Sequence, residues 1–248
     1  MKAEKISELT IDRLSIYLRC LNLLASNNIQ TVSSQDLATQ FNLNSAQIRK
    51  DLAQFGEFGV RGVGYSVEKL RNCLKHILGL DRPHNIGVIG AGNLGMALAN
   101  YEGFAGTNFN AVALFDNAPE KIGNQTKRGL PVHDVGKLKE VIKQTEIDII
   151  VLAVPASAAQ QVLDQVVEAG IKAILNFAPV QLHVPEQVKL KTVDLTVSFD
   201  SLSHSLVNPQ ASWESDPRLF SSVFENPRPH KNASQHSGST RRSKKRIV

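Results

Sequence analysis

Two cysteines and one tryptophan in 248 residues exclude several kinds of protein at once. Cys20 and Cys73 both fall in helix-period stretches, away from any CxxC pair or histidine cluster, so they read as packing thiols and not as a disulfide framework, metal site or redox pair. No apolar run approaches the roughly 18 residues of a membrane span. The first twelve residues are charged and lack the apolar stretch and small-residue cleavage site of a secretory leader. A cytoplasmic protein with no membrane partner is expected. What is present, 42% hydrophobic and 21% charged residues, is ordinary for a globular chain long enough to build two modest cores.

Net charge of +5 suggests a polyanionic partner until it is located. Residues 1–82 carry 11 basic and 8 acidic side chains, residues 83–207 carry 9 and 12, and residues 208–248 carry 8 and 3. The excess therefore sits at the two ends. A basic N-terminal domain joined to an acidic one is compatible with a DNA-facing module on a module of another kind.

Ile11, Leu14, Leu18 and Leu21 recur at helical spacing over 10–27, with Thr10 as the expected N-cap and a second stripe of Tyr17, Cys20 and Leu24 beside the first. Ser33-Ser34-Gln35-Asp36 has the form of a capping box. After the Asn42-Leu43-Asn44 turn, Ser45 is expected to cap a helix running to about Phe55, which makes a helix-turn-helix. Glycines 56, 59, 62 and 64 around Phe58, Val60 and Val63 suggest a short hairpin, a wing, and Val67, Leu70, Leu74 and Ile77 mark a closing helix. Beyond Asp81-Arg82-Pro83, β-rich runs at 86–89, 111–115, 147–154, 173–177 and 188–193 alternate with helical segments near 94–102, 137–144 and 157–169. That alternation implies a parallel, doubly wound sheet. A last helix, 195–207, carries Leu195, Phe199, Leu202 and Leu206 on one stripe. Residues 208–248 are rich in Ser, Pro, Asn, His and Arg and are expected to be a disordered basic tail, either merely solvated or binding phosphates without sequence preference.

Gly90-Ala91-Gly92-Asn93-Leu94-Gly95 is a GxGxxG that follows a strand and opens a helix, and Asp116 stands 21 residues after Gly95 at the end of the next strand. This context is what a dinucleotide site requires. Gly90 permits the tight turn, Gly92 lets the pyrophosphate approach the backbone, and Gly95 lets helix and strand pack closely. The helix N-terminus offers its N–H groups to the phosphates. Asp116 can accept from the ribose hydroxyls and would repel a 2′-phosphate, which favours NADH and NAD+ over their phosphorylated forms.

In the second helix of the helix-turn-helix, Ile48, Leu52 and Phe55 form the expected buried stripe. Gln47, Lys50, Asp51 and Gln54, with Arg49 on the flank, form the polar side. Such amides and cations suit a major groove, and Arg61 near the wing tip could enter a narrow minor groove. An ordinary solvated helix face carries similar residues, so this pattern alone leaves both readings open.

Ile48-Arg49-Lys50-Asp51-Leu52, Phe55 to Gly59, Arg61-Gly62-Val63-Gly64-Tyr65, Gly90 to Gly95, Asn100 to Phe104, Asn176-Phe177-Ala178-Pro179 and Val193-Asp194-Leu195 resemble the redox-sensing repressors of the Rex family, over roughly residues 5–207. The resemblance implies a homodimer that binds palindromic operator DNA, represses transcription and is released by NADH, with NAD+ competing. It also implies that 195–207 is exchanged between protomers. The implied organisation is a winged-helix domain over 1–80, a Rossmann domain over 84–194, a domain-swapped helix over 195–207 and the tail. The candidate cofactor set is Gly90 to Gly95, Asp116, Tyr101, Val154, Pro155, Asn176 and Ala178. The DNA set is Ser45, Gln47, Arg49, Lys50, Gln54 and Arg61. Tyr101 would lie near the nicotinamide, and Tyr101 and Arg19 would compete for Asp194 as a switch. Thr196 to Asp200 departs from the usual family pattern, so contacts of the last helix are less fixed by the resemblance.

Two rivals share the fold. A nicotinamide-dependent oxidoreductase would need an acid–base group and a substrate anchor, and none of His76, His84, His133, His183 or His204 has an Arg or carboxylate at a catalytic spacing. No catalytic residue and no turned-over substrate are expected. A CoA-binding regulator would have no use for a ribose-diol acceptor at Asp116.

Overall fold

The computed structural model describes residues 6–209, which divide into two compact units between Leu78 and Gly79. Most of the expected tail, from 210 onward, lies outside the described residues.

In the first unit, helix α1 spans Glu8–Ser26. Its cap is Ser7 and not Thr10: the extended Ser7 accepts the Thr10 N–H at 3.1 Å, and Thr10 is itself buried one turn into the helix. Helices α2 (Ser34–Phe41) and α3 (Ser45–Ala53) form the helix-turn-helix. The capping box at Ser33 and Asp36 is formed. Asn42 takes the left-handed conformation (φ 53°) that ends α2, as short polar side chains tolerate. Asn44, one residue before the expected Ser45, then caps α3 by accepting from Ala46 and Gln47 N–H at 2.9 and 3.0 Å. Strands β2 (Gly59–Val60) and β3 (Gly64–Ser66) make the wing hairpin, and β1 (Thr31–Val32), too short for its alternation to show in sequence, pairs with the other side of β3. Helix α4 (Val67–Ile77) packs on α1, with Leu14, Leu21 and Leu24 meeting a core that includes Leu37, Phe41, Ile48, Leu52, Leu70 and Leu74.

The second unit is a six-stranded, wholly parallel sheet ordered β6-β5-β4-β7-β8-β9. The strands are β4 (His84–Ile89), β5 (Phe109–Asp116), β6 (Val132–Asp134), β7 (Ile147–Leu152), β8 (Ala173–Asn176) and β9 (Lys189–Thr192). β6, three residues long, was not anticipated. Successive residues supply opposite faces, as strand geometry requires. Ile89, Phe115, Ile150 and Leu152 pack with α6 (Leu138–Thr145) and α7 (Ala156–Glu168). Val88, Leu114 and Val151 face the other side with Ala99 of α5 (Asn93–Ala99). This is the strand order of dinucleotide-binding folds, with the ligand crevice at the carboxyl ends of β4 and β7, where the chain reverses direction across the sheet. Helix α8 (Leu195–Val207) has no buried residue.

Candidate functional site

A cleft of about 590 Å³ opens at that switch point. It is lined by Gly90, Gly92, Asn93 and Leu94, by Asp116 to Ala118 and Lys121, and by Val154 and Pro155 after β7. Gly90 has φ +102°, and a Cβ there would lie 2.4 Å from the Ala153 carbonyl oxygen, so only glycine serves. At Gly95 a Cβ would stand 1.8 Å from the Gly90 carbonyl oxygen, which is the close helix–strand packing anticipated for that position. A Cβ on Gly92 would meet nothing within 4 Å. Nothing in the fold itself requires glycine at this position. Gly92 also heads α5 without any side-chain cap, leaving the first N–H groups of the helix facing the cleft.

Asp116, 8% exposed, is more occupied than the sequence suggests. Its Oδ2 accepts from Ala91 N–H at 2.7 Å and from Lys121 Nζ at 3.0 Å, while Oδ1 accepts from Ala118 N–H at 2.9 Å. Burial alone would raise its pKa, but the Ala118, Lys121 and Ala91 donors overcome this and hold the carboxyl below its ordinary value. The carboxylate thus fastens the glycine turn to the end of β5 as well as facing the cleft. Lys121 is not singled out by the sequence; its signal is a lysine five residues after Asp116, the acid expected at the ribose. Asn176, also expected at the cofactor, is fully buried, and its amide is committed to both backbone groups of Ala178, at 2.9 Å each. Asn176 and Ala178 shape the chain after β8, and neither lines the cleft. Tyr101 is exposed beyond α5 and edge-packed on Phe104 at 5.2 Å between ring centroids.

The first unit gathers a second constellation around α3. Arg49, Lys50 and Gln54 are exposed, as is Arg61 at the wing, whereas Ser45 and Gln47 are half-buried. Asp51, expected on the polar side, is instead fully buried. Arg13 holds it with two bonds, Nε to Oδ2 at 2.6 Å and Nη2 to Oδ1 at 2.7 Å. Tyr17 donates its hydroxyl at 2.9 Å, and Gln47 donates Nε2 at 2.7 Å. Burial would push the Asp51 carboxyl up; the bonds from Arg13, Gln47 and Tyr17 win and hold it low. Tyr17 is driven well above the ordinary phenol value, by burial first and then by its bond to the carboxylate. The exposed side of α3 therefore centres on Ala46, Arg49, Lys50 and Ala53, with Gln47 at its edge, and α3 ends two residues before Phe55, which is half-buried. Arg49 also bonds Ser34 Oγ of α2 at 2.8 Å. A groove of about 720 Å³ runs between α3 and the wing, lined by Arg49, Ala53, Gly56 and Arg61 among others.

Comparisons with known proteins match both halves. A family of CoA binding domains matches residues 81–180, and one of putative DNA-binding protein N-termini matches residues 5–53. The redox-sensing transcriptional repressor Rex of Syntrophobacter fumaroxidans is 48% identical over 206 residues, 83% of this chain and 98% of that protein. The chain belongs to the Rex family of redox-sensing transcriptional repressors. The Rex-family repressor RSP, solved with beta-NAD+ and operator DNA, superposes with a TM-score of 0.78 at 41% identity, covering 84% of this chain and 95% of RSP. RSP with beta-NADH gives a TM-score of 0.73 at 39% identity, covering 84% and 97%. These relatives are named as repressors and not as enzymes. The match to CoA binding domains lies in the Rossmann half, whose fold serves several nucleotides.

Of the residues expected to form a switch, Asp194 caps α8 by accepting from Thr196 N–H at 2.9 Å and Thr196 Oγ1 at 2.7 Å. Those two bonds hold its carboxyl below the ordinary value. Arg19 lies on the exposed side of α1. Among the described residues no helix is long and apolar enough to cross a membrane, and no group of three or more His, Cys, Asp or Glu could hold a metal ion.

Proposed function

We propose that this cytoplasmic chain acts as a homodimer that holds operator DNA in its NAD+-bound or nucleotide-free form and releases it on binding NADH. The observation that carries this reading is the pairing, in one chain, of a nucleotide cleft with a winged helix whose Arg49, Lys50 and Arg61 are exposed. The pyrophosphate would lie against Gly90 to Gly95 and the head of α5, with the adenosine ribose at Asp116 and Lys121. Val154 and Pro155 would border the nicotinamide half, and Tyr101 would close on it. In DNA, Arg49 and Lys50 would contact phosphates or guanine edges, and Arg61 the minor groove. Ser45, Gln47 and Gln54 would complete the reading surface.

A second copy is the natural cover for α8, on which Leu195, Phe199, Leu202 and Leu206 are all exposed, Phe199 by 65%. The domain limits 1–80, 84–194 and 195–207 follow from this division of labour. In the switch, Asp194 exchanges partners between Tyr101 and, across the dimer, Arg19. The nucleotide moves that equilibrium only by its differential affinity for the two arrangements. A mobility shift on a palindromic operator, titrated with NADH and with NAD+, tests the whole reading. Release at micromolar NADH but not at similar NAD+ is expected, and DNA binding indifferent to both would overturn it.

A further inference from the structure

Asp51 is the one carboxylate among the described residues that is fully buried and bonded by an arginine, a tyrosine and a glutamine together. Four donors converge on its two oxygens, which leaves it no proton of its own to offer and makes it purely an acceptor. The consequence falls on Gln47, one turn earlier on α3. A glutamine amide has two chemically opposite ends that can be exchanged by a half-turn, and only its neighbours decide which end faces where. Here the acceptor at 2.7 Å requires the nitrogen to face inward, so Oε1 is the end left for solvent. Among the described residues Gln47 makes no other side-chain bond, and it is half-exposed in the first turn of α3, the part of a recognition helix that approaches base edges.

We propose that Asp51 fixes the amide of Gln47 so that it reads DNA as a hydrogen-bond acceptor, selecting adenine or cytosine, whose major-groove edges carry an amino group, over guanine or thymine, which present carbonyl oxygens there. Arg13 and Tyr17 act behind it, keeping Asp51 ionised and immobile. Asp51 is thus a positioning residue: it touches no DNA, and it sets the polarity of the side chain that does. This rests on α3 being the DNA-reading helix of the proposed repressor.

The test uses the full chain and DNA that the wild type selects from a random-sequence pool, each base pair of a half-site then being exchanged in turn. Gln47→Leu, which leaves Arg13, Tyr17 and Asp51 in place, is expected to abolish a preference of about tenfold at one pair per half-site, the low end for a single base contact. Gln47→Lys can still donate to Asp51 but presents only donors, and should turn the preference at that pair from adenine to guanine, or from cytosine to thymine. Loss of affinity by the same factor on every operator, or a wild-type preference at that pair for guanine or thymine, would overturn the assignment. A wild type that selects no sequence at all would overturn the repressor reading beneath it, which the other two results leave standing.

Discussion

Removing Arg13 should unmask the cost of burying Asp51. The pair is bidentate, at 2.6 and 2.7 Å, with Arg13 20% exposed and Asp51 not at all. Deleting one partner of a buried pair costs roughly 3–5 kcal/mol because the remaining charge is stranded. Tyr17 and Gln47 still donate to the carboxylate in Arg13→Ala, which places the loss near the lower end, about 3 kcal/mol. Arg82→Ala is the control. Its pair with Asp148 is as short, 2.7 Å, but Arg82 is 64% exposed, so its loss should be far smaller. The pH dependence sharpens the contrast. In the wild type Asp51 sits below its unfolded value, so its contribution is present above the ordinary carboxylate pKa near 3.9 and lost only as the pH falls through the still lower folded value. Without Arg13 the strongest bond opposing the effect of burial is gone, and the carboxyl is expected to rise. The variant's deficit should then be largest at neutral pH and shrink on acidification. Hydrogen exchange of peptides from α1 and α3 at about pH 7 and pH 5, with β4 and β7 followed for Arg82→Ala, reads both effects locally. A deficit no larger than the control's, or one identical at the two pH values, would refute the reasoning.

Further predictions concern the second unit. Gly92→Ala should leave stability unchanged, since its Cβ meets nothing, yet weaken NADH at least tenfold by obstructing the pyrophosphate; Gly95→Ala, with its Cβ 1.8 Å from a carbonyl oxygen, should lower the melting temperature as well. Calorimetric titration and thermal unfolding separate the two. Lys121→Ala removes the cation beside Asp116 and should widen discrimination against NADPH, read as the ratio of the two dissociation constants. Phe199→Asp places a charge on the exposed apolar stripe of α8 and should yield monomers in analytical ultracentrifugation. Asp194→Asn keeps a good helix cap while removing the charge, and should abolish the NADH response in a mobility shift without loss of thermal stability.

What could be read from sequence was whatever depends on local backbone demands. The strand, the GxGxxG and the helix after it lie within the sixteen residues 84–99, and the positive φ of Gly90 and the close approach of Gly95 to the Gly90 carbonyl are set inside that stretch. Helices α2, α4, α7 and α8 were legible because their apolar spacing and caps are likewise local. The errors are local too: Ser7 and Asn44 compete with Thr10 and Ser45 for the caps, and which oxygen folds back on the helix is settled by a register difference of three residues at α1 and of one at α3. β1 and β6, of two and three residues, are too short for an alternation to declare itself.

The site was less legible where one residue's role is set by a distant one. Asp51 stands among Lys50, Gln54 and Gln47, and helical periodicity alone gives it to solvent; its burial depends on Arg13, 38 residues away, without which a buried carboxylate would be untenable. The same holds for Asn176, whose amide reads as a ligand contact until both its ends are found on Ala178.

Asp194 carries the point into mechanism. The resemblance implies a switch role for it, yet within one chain its carboxylate is already bonded to Thr196 at the head of α8. That cap stabilises α8, so any partner that draws Asp194 away must offset its loss before it shifts the population. A tyrosine hydroxyl offers one neutral donor, whereas an arginine offers a charge and a fork of donors. In the proposed switch this asymmetry would favour the Arg19 arrangement, less whatever Arg19 gives up to reach it, and the nicotinamide would have to supply the difference.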